Sequence, residues 1–425
     1  MPVGFNAENI IPLYIDGILH LINVEELETL ISFPNENNSY LVKEDVSSLH
    51  FYSLGPNGLS QVKQISREIV EQSITLKTHN GREIRLGSDQ QILVKTTNGT
   101  TFIKAKELKP GMVVGEFAGN ILTNRIPPEI DIISEFMSES PPEIPARLYV
   151  TNTRNLLLTL GDALERILER EEIDKENEQF APNRITLQQF YLLINKYGLM
   201  DYADDNLFIT SKDGNGTVPL TLEITNQLFE FLGLFIRYGF FSKNDGHPFL
   251  IVPPDLVPKS LSLIRYLTNS PITYFETTNR MIEIHFGKEV EGWLLRYVFG
   301  INPYYNQRTF PRFTNICDKS DIIMFIKYFM EIDYSTGLVT HNSLRFPNKS
   351  MTQQAYYFLR SIGKDIKFME NNHSAYQKIT VTDSTKYYNW DPIIEISKEK
   401  QKEYFYSIKN ENNTPYYAGT GFILK

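Results

Sequence analysis

The chain reads as a multi-domain protein whose two ends are β-rich and whose middle mixes helix with strand. Three observations predict this. Residues 10–120 break into short apolar runs separated by turn dipeptides, and the same texture returns from Trp390 onward. Between them, helical periodicity alternates with strand-like stretches. At 425 residues and 49.2 kDa there is room for two or three domains, each with its own core.

The first element is a hairpin: Pro12–Ile15, then Asp16–Gly17, then Ile18–Ile22, because Asp-Gly supplies the positive φ of a tight turn. Further strand–turn units are expected at Ser73–Leu76 with His79–Gly81, and at Ile92–Lys95 with Asn98–Gly99. Pro127, Pro128, Pro141, Pro142 and Pro145 then mark a connector. Leu156, Leu157, Leu160, Leu164, Ile167 and Leu168 share one helical face, and a second helix is predicted over Leu187–Tyr197, stopped by Gly198. Residues 225–385 alternate the two periodicities without a convincing sequence repeat. Two helix-like stretches there, Phe231–Gly239 and Phe325–Ser335, echo each other.

Composition sets limits on function. Hydrophobic residues make up 41% and charged residues 22%, as in an ordinary globular protein. No basic n-region precedes an apolar run at the start, and no apolar stretch reaches membrane-spanning length. One cysteine, Cys317, excludes an internal disulfide and a cysteine-rich zinc site; a reducing, intracellular setting is expected and a buried thiol is the default for it. The net charge of −9 argues against indiscriminate nucleic-acid binding by the whole chain. Residues 225–390 hold 18 Lys and Arg against 14 Asp and Glu, hence +4, which leaves −13 elsewhere. That suits a DNA-facing middle and lies equally within ordinary scatter.

Four blocks carry a family resemblance. They are Gly81–Val94 (GREIRLGSDQQILV), Phe102–Val114 (FIKAKELKPGMVV), Trp390–Ile394 (WDPII) and Tyr416–Lys425 (YYAGTGFILK). Together they resemble the motif blocks of the Hint domain, the β-fold of protein-splicing inteins. The resemblance implies an all-β Hint-type domain split in sequence around an α+β insertion, which in large inteins is a LAGLIDADG homing endonuclease. The expected parts are 6–125 and 386–425 for the Hint-like domain, 126–224 for a Pro-rich connector and helical region, and 225–385 for the endonuclease-like domain. First and final segments must then pair across the insertion.

The chemistry of that family is missing from its expected positions. Inteins begin with a Cys or Ser that attacks the preceding carbonyl. The corresponding place lies around Asn6 or Ala7, with no nucleophile nearby. The family's Thr and His, three residues apart, fall on Gly87 and Gln90, and an amide cannot shuttle a proton as imidazole does. The Asp and His of the penultimate block fall on Phe405 and Thr414. The family's final His-Asn is replaced by an end at Lys425. Splicing is therefore expected to be lost.

The nuclease pattern is also eroded. In the LAGLIDADG family two helices pack through small residues, and each ends in an acid that holds divalent metal over the phosphates. Leu232, Gly233 and Gly239 keep the first pattern, while Tyr238 takes the acid position. In the second stretch Asp333 takes it, after Glu331, while Tyr328 and Tyr334 replace small residues. Asp333 is thus the one candidate catalytic and metal-binding acid, for Mg²⁺ if cleavage remains; a capping aspartate before a turn at Tyr334–Gly337 is the competing reading. Lys378 is a candidate basic residue near phosphate, or a solvated strand lysine. Leu344–Ser350 followed by Ala355–Gly363 fits the family's strand and helix.

The seven histidines show no paired ligand spacing, and Gly214–Gly216 and Gly419–Gly421 read as surface turns rather than phosphate loops. Three functions follow. The first is an intein-derived, splicing-inactive protein that binds double-stranded DNA through residues 225–385 with weak or no cleavage. The second is a structural or protein-interaction module, with Tyr304–Tyr305, Tyr356–Tyr357 and Tyr416–Tyr417 as possible anchors. The third is an active Mg²⁺-dependent endonuclease.

Overall fold

The computed structural model describes residues 4–425 except 16, 32–40, 122–128, 157, 159–160, 162–165, 168–169, 171–179, 182, 198–206, 215, 244–245, 334–337, 370–376 and 384–389. Asp16, Pro127, Pro128, four of the six residues of the Leu156–Leu168 face, Gly198 and the Tyr334–Gly337 turn therefore lie outside the described residues. Among those described, no helix is long and apolar enough to cross a membrane.

The chain divides into two compact units, one made of Met1–Leu122 with Phe329–Lys425 and the other of Thr123–Tyr328. The division thus falls between Tyr328 and Phe329, inside the 225–385 segment that the sequence reading takes as one domain.

The first unit is organised by strands from both ends of the chain. Phe5–Asn6 pairs with Glu403–Asn410, placing Asn6 opposite Phe405, and also with Glu83–Gly87. Trp390–Glu399 pairs with Val113–Gly115 and with Ser73–Thr78. Glu403–Asn410 runs beside Gly58–Val70, and Leu424 sits opposite Ile92. The expected pairing of first and final segments is therefore present. Alternate residues of these strands, among them Phe5, Leu13, Ile65, Leu76, Leu86, Ile92, Val94, Val114, Ile393 and Phe422, face inward and make one apolar core. The early hairpin has the two-residue loop that its sequence predicts, with Ile15 opposite Ile18.

In the second unit, residues 126–224 depart from expectation. The helix Leu187–Tyr197 forms with its predicted bounds. The region is nevertheless built on a five-stranded sheet ordered Phe180–Ala181, Arg184–Thr186, Leu148–Thr151, Phe208–Ser211, Thr217–Pro219. Its strands have only two to four residues, too few to display a period-two pattern.

Beyond residue 225 one order of elements occurs twice. It runs α1 (Asn226–Tyr238), β1 (Gly239–Phe241), β2 (Pro248–Val252), α2 (Val257–Leu267), β3 (Ile272–Glu276) and β4 (Ile282–Phe286). It then recurs as α3 (Lys319–Ile326), β5 (Met330–Asp333), β6 (Leu338–Phe346), α4 (Lys349–Ser361), β7 (Lys364–Met369) and β8 (Gln377–Asp383). Both four-stranded sheets are fully antiparallel and have the same spatial order, β1-β2-β4-β3 and β5-β6-β8-β7. A structural repeat exists where the residues show none. Elements α1 to α3 belong to the second unit, and β5 to β8 with α4 to the first.

Candidate functional site

The positions that the sequence assigns to splicing converge in the first unit. Asn6 is buried on its short strand, and its side-chain oxygen accepts from Asn9 Nδ2 at 2.6 Å. Phe405, also buried, lies directly across the ladder from it. Gly87 ends the neighbouring strand and donates its N–H to the Gly4 carbonyl at 2.9 Å. One turn later Gln90 Nε2 donates to the carbonyls of Lys425 and Gln91, both at 3.0 Å, while the Lys425 N–H reaches the Gln91 carbonyl at 3.1 Å. Gln90 thus bridges the first segment's turn to the last residue. Ala7, half-buried beside Asn6, offers only a methyl group. Thr414 lies apart from this contact set, bonded to Ser60 and to the Glu411 carbonyl at the rim of a 410 Å³ surface cleft.

The surrounding donors are amides and the neighbours hydrocarbon. Asn6 and Gln90 do not ionise, so neither can shuttle a proton, and neither has the hydroxyl or thiol that an acyl shift requires. Asp89, beside Gln90, is held by Lys106 at 2.9 Å and Lys104 at 3.0 Å, and these hydrogen bonds keep its carboxyl below the usual range. It is committed as a carboxylate.

Sequence reasoning missed the polar core beside this place. Arg82 is fully buried, with Nε 3.0 Å from Asp391 Oδ2, Nη1 donating to the Thr420 carbonyl at 3.1 Å, and its carbon 4.5 Å above the Phe422 ring. Burial works against the charge, yet the negative Glu116 and Asp391 nearby hold the guanidinium protonated. Glu116 accepts from Tyr356 Oη at 2.9 Å and faces Arg360 Nε at 3.6 Å. Tyr356 stands where a side chain on Gly421 would collide with it. The Gly419–Gly421 turn is therefore buried, not a surface turn, because α4 packs its aromatic face there. Tyr356, Tyr357, Tyr416 and Tyr417 are buried and are not surface anchors; Tyr304 is exposed.

The second candidate place is the helix pair α1 and α3. They cross at Gly233, where a Cβ would come within 2.3 Å of the Phe325 carbonyl oxygen. Only glycine permits that approach. Near the crossing, buried Glu230 pairs with Lys259 at 2.7 Å and with Lys327, and accepts from Tyr328 Oη at 3.1 Å. Burial opposes ionisation, but the two lysines prevail and lower its affinity for protons.

Both helices leave their last turn without an acid. Tyr238 is the final residue of α1. After α3 a 3-10 turn, Lys327–Phe329, leads into β5, so Phe329 takes the corresponding place. Asp333 lies four residues further on, opposite Leu338 within the strand; its side chain lies outside the described residues. The residue pattern places it at a helix end, whereas the early end of α3 puts it in the sheet. Lys378 lies on β8, opposite Arg345 and Met369.

The end of α1 is cationic. Arg308 is buried and donates to the carbonyls of Ile236 (2.7 Å), Gly239 (2.8 Å) and Phe235 (3.3 Å), which satisfies the open end of the helix. Burial lowers it to about 10, against the pull of Tyr305, and it is still charged at neutral pH. Arg237 donates to Tyr305 Oη at 3.1 Å. Two guanidiniums and a phenol do not suit Mg²⁺, which requires anionic oxygen. Among the described residues no group of three or more His, Cys, Asp or Glu is placed to hold a metal ion. Cys317 is buried and donates to the Thr314 carbonyl.

No protein-family model matches the chain, and no curated protein does. Solved structures that resemble part of it include inteins. The transcription factor IIB Mvu mini-intein is 13% identical, with a TM-score of 0.25, over 28% of this chain and 70% of the intein. An intein from a hyperthermophile is 18% identical, with a TM-score of 0.24, over 27% of this chain and 72% of its own. A KlbA intein precursor from Methanococcus jannaschii is 19% identical, with a TM-score of 0.23, over 28% and 69%.

Proposed function

We propose that this is an intein-derived, splicing-inactive protein whose degenerate LAGLIDADG-type middle binds double-stranded DNA without cutting it. The observation that carries the reading is the helix pair. The close crossing at Gly233 is kept, while Tyr238 and Phe329 stand where each helix would present its acid. Packing that needs a glycine has been retained and the chemistry has not. The duplicated α-β-β-α-β-β order supports the same origin. Amides at Asn6 and Gln90 and the Phe405 ring support the loss of splicing. With the buried Arg308 and the half-buried Arg237 filling the end of α1, capture of a metal there is disfavoured.

The test is binding of the whole chain to a randomised duplex library across a salt series with Mg²⁺ present, with Asp333→Asn in parallel. Salt-sensitive binding without nicking, unchanged by Asp333→Asn, is expected. Nicking that disappears in Asp333→Asn would make the protein an endonuclease. Absence of binding at low salt would remove the duplex reading.

A further inference from the structure

The outer face of the β1-β2-β4-β3 sheet carries a row of stacked rings. Phe240 on β1 lies 5.6 Å from Phe249 on β2, at 23° between planes. Phe249 lies 5.2 Å from His285 on β4 at 16°, and His285 lies 5.6 Å from Phe275 on β3 at 20°. The row is dictated by register. Phe240 opposes Phe249 and Phe249 opposes His285, and Phe275 reaches the row from one diagonal step along the edge strand. The opposite face of the sheet supplies Leu250, Val252, Ile284 and Phe286 to the core. These rings therefore do not close that core. Phe240 is 37% exposed, His285 40% and Phe275 52%, an apolar ridge left in water.

Cations stand at both ends of this face. Lys243 is exposed in the β1–β2 hairpin, and an Arg296 nitrogen lies 3.8 Å from where a Gly246 side chain would begin in the same hairpin. Arg280 is exposed in the β3–β4 hairpin. Among the described residues the acids nearby are Glu276 and Glu283, the latter 2.7 Å from His285. Phe240 and Phe275 are the two ends of the stack, so each leaves one ring face available. A planar ring extends such a stack, and cations beside it meet a phosphate backbone. A double helix hides its base faces; an unpaired strand presents them.

We infer that this face is a stacking platform for unpaired bases of single-stranded nucleic acid, with Phe240 and Phe275 as its terminal rings and Lys243, Arg280 and Arg296 as its phosphate contacts. The inference rests on the proposed nucleic-acid reading for its ligand class and differs from it in strandedness.

The experiment measures fluorescence anisotropy of the full-length chain with labelled oligothymidylate, oligouridylate and a mixed-sequence duplex. Phe240→Ala, Phe275→Ala and Tyr274→Ala are compared, Tyr274 being 59% exposed on the other face of the same strand as Phe275. Circular dichroism confirms that each variant is folded. Each Phe variant is expected to weaken single-strand binding about fivefold or more, while Tyr274→Ala leaves it unchanged. The two single-stranded probes separate DNA from RNA. Duplex binding untouched by either Phe variant, with no affinity for single strands, would overturn the inference and leave the proposed function standing. Failure to bind any of the three would overturn both.

Discussion

Asp391→Ala should unfold the first unit far more readily than its single lost carboxylate suggests. Asp391 and Arg82 are 309 residues apart in sequence, both fully buried, and 3.0 Å apart. Removing the carboxylate takes away the guanidinium's direct charged partner in the core, leaving Glu116 as the remaining negative charge beside a group that cannot shed its proton. It also removes the acceptor for the Asn80 N–H at 3.3 Å. Breaking a buried pair in this way costs about 3–5 kcal/mol, or roughly 6–20 °C in melting temperature for a unit of this size. Replacing both partners, Arg82→Met with Asp391→Leu, should cost much less, since no orphaned charge remains. The chain has two tryptophans, Trp293 in the second unit and Trp390 in the first. In a Trp293→Phe background, fluorescence during urea unfolding therefore reports on the first unit alone. A loss below about 1 kcal/mol for Asp391→Ala, the range of a solvated surface pair, would refute the placement of this pair and the pairing of the two chain ends around it.

Three further outcomes follow from single sites. Gly233→Val should destabilise the second unit by at least about 1–3 kcal/mol, because its Cβ meets the Phe325 carbonyl; Trp293 fluorescence in a Trp390→Phe background reads it. Glu135 is raised to about 7 by burial and by Glu139, against the pull of Arg312. Its contribution to stability is thus present below its unfolded value near 4.5 and lost as pH rises through about 7. The second unit should melt lower across that window, and Glu135→Gln should flatten the slope; an unchanged slope would contradict the assignment. Gln90→Ala removes the bond from Gln90 to the Lys425 carbonyl and should loosen the last strand, seen as faster amide exchange at Phe422–Leu424.

Much of the first unit was legible because its strands carry their own instructions. Asp16–Gly17 and Asn98–Gly99 fix hairpin positions locally, and Leu187–Tyr197 announces its apolar face. The duplicated fold of the middle was not legible. It resides in strand order, and the two copies share almost no residues at matching places. Asp333 was misplaced because alignment followed residue likeness while α3 stops at Ile326, eight residues long against thirteen for α1. The Arg82–Asp391 pair had no local signal at all, since either residue read alone is an ordinary surface charge. The buried Gly419–Gly421 turn was misread for a related reason: glycines mark a turn, but only the arrival of Tyr356 from α4 shows that the turn lies inside.

The central proposal is that a frame of the self-splicing kind has kept its shape and lost its reaction. The most direct measurement is intact mass of the chain flanked on both sides by folded marker proteins, followed over days with and without thiol. The account predicts one species at the full mass. Ligated markers, or release of either marker, would show that Asn6, Gln90 and the residues around them still carry the reaction, and would contradict it.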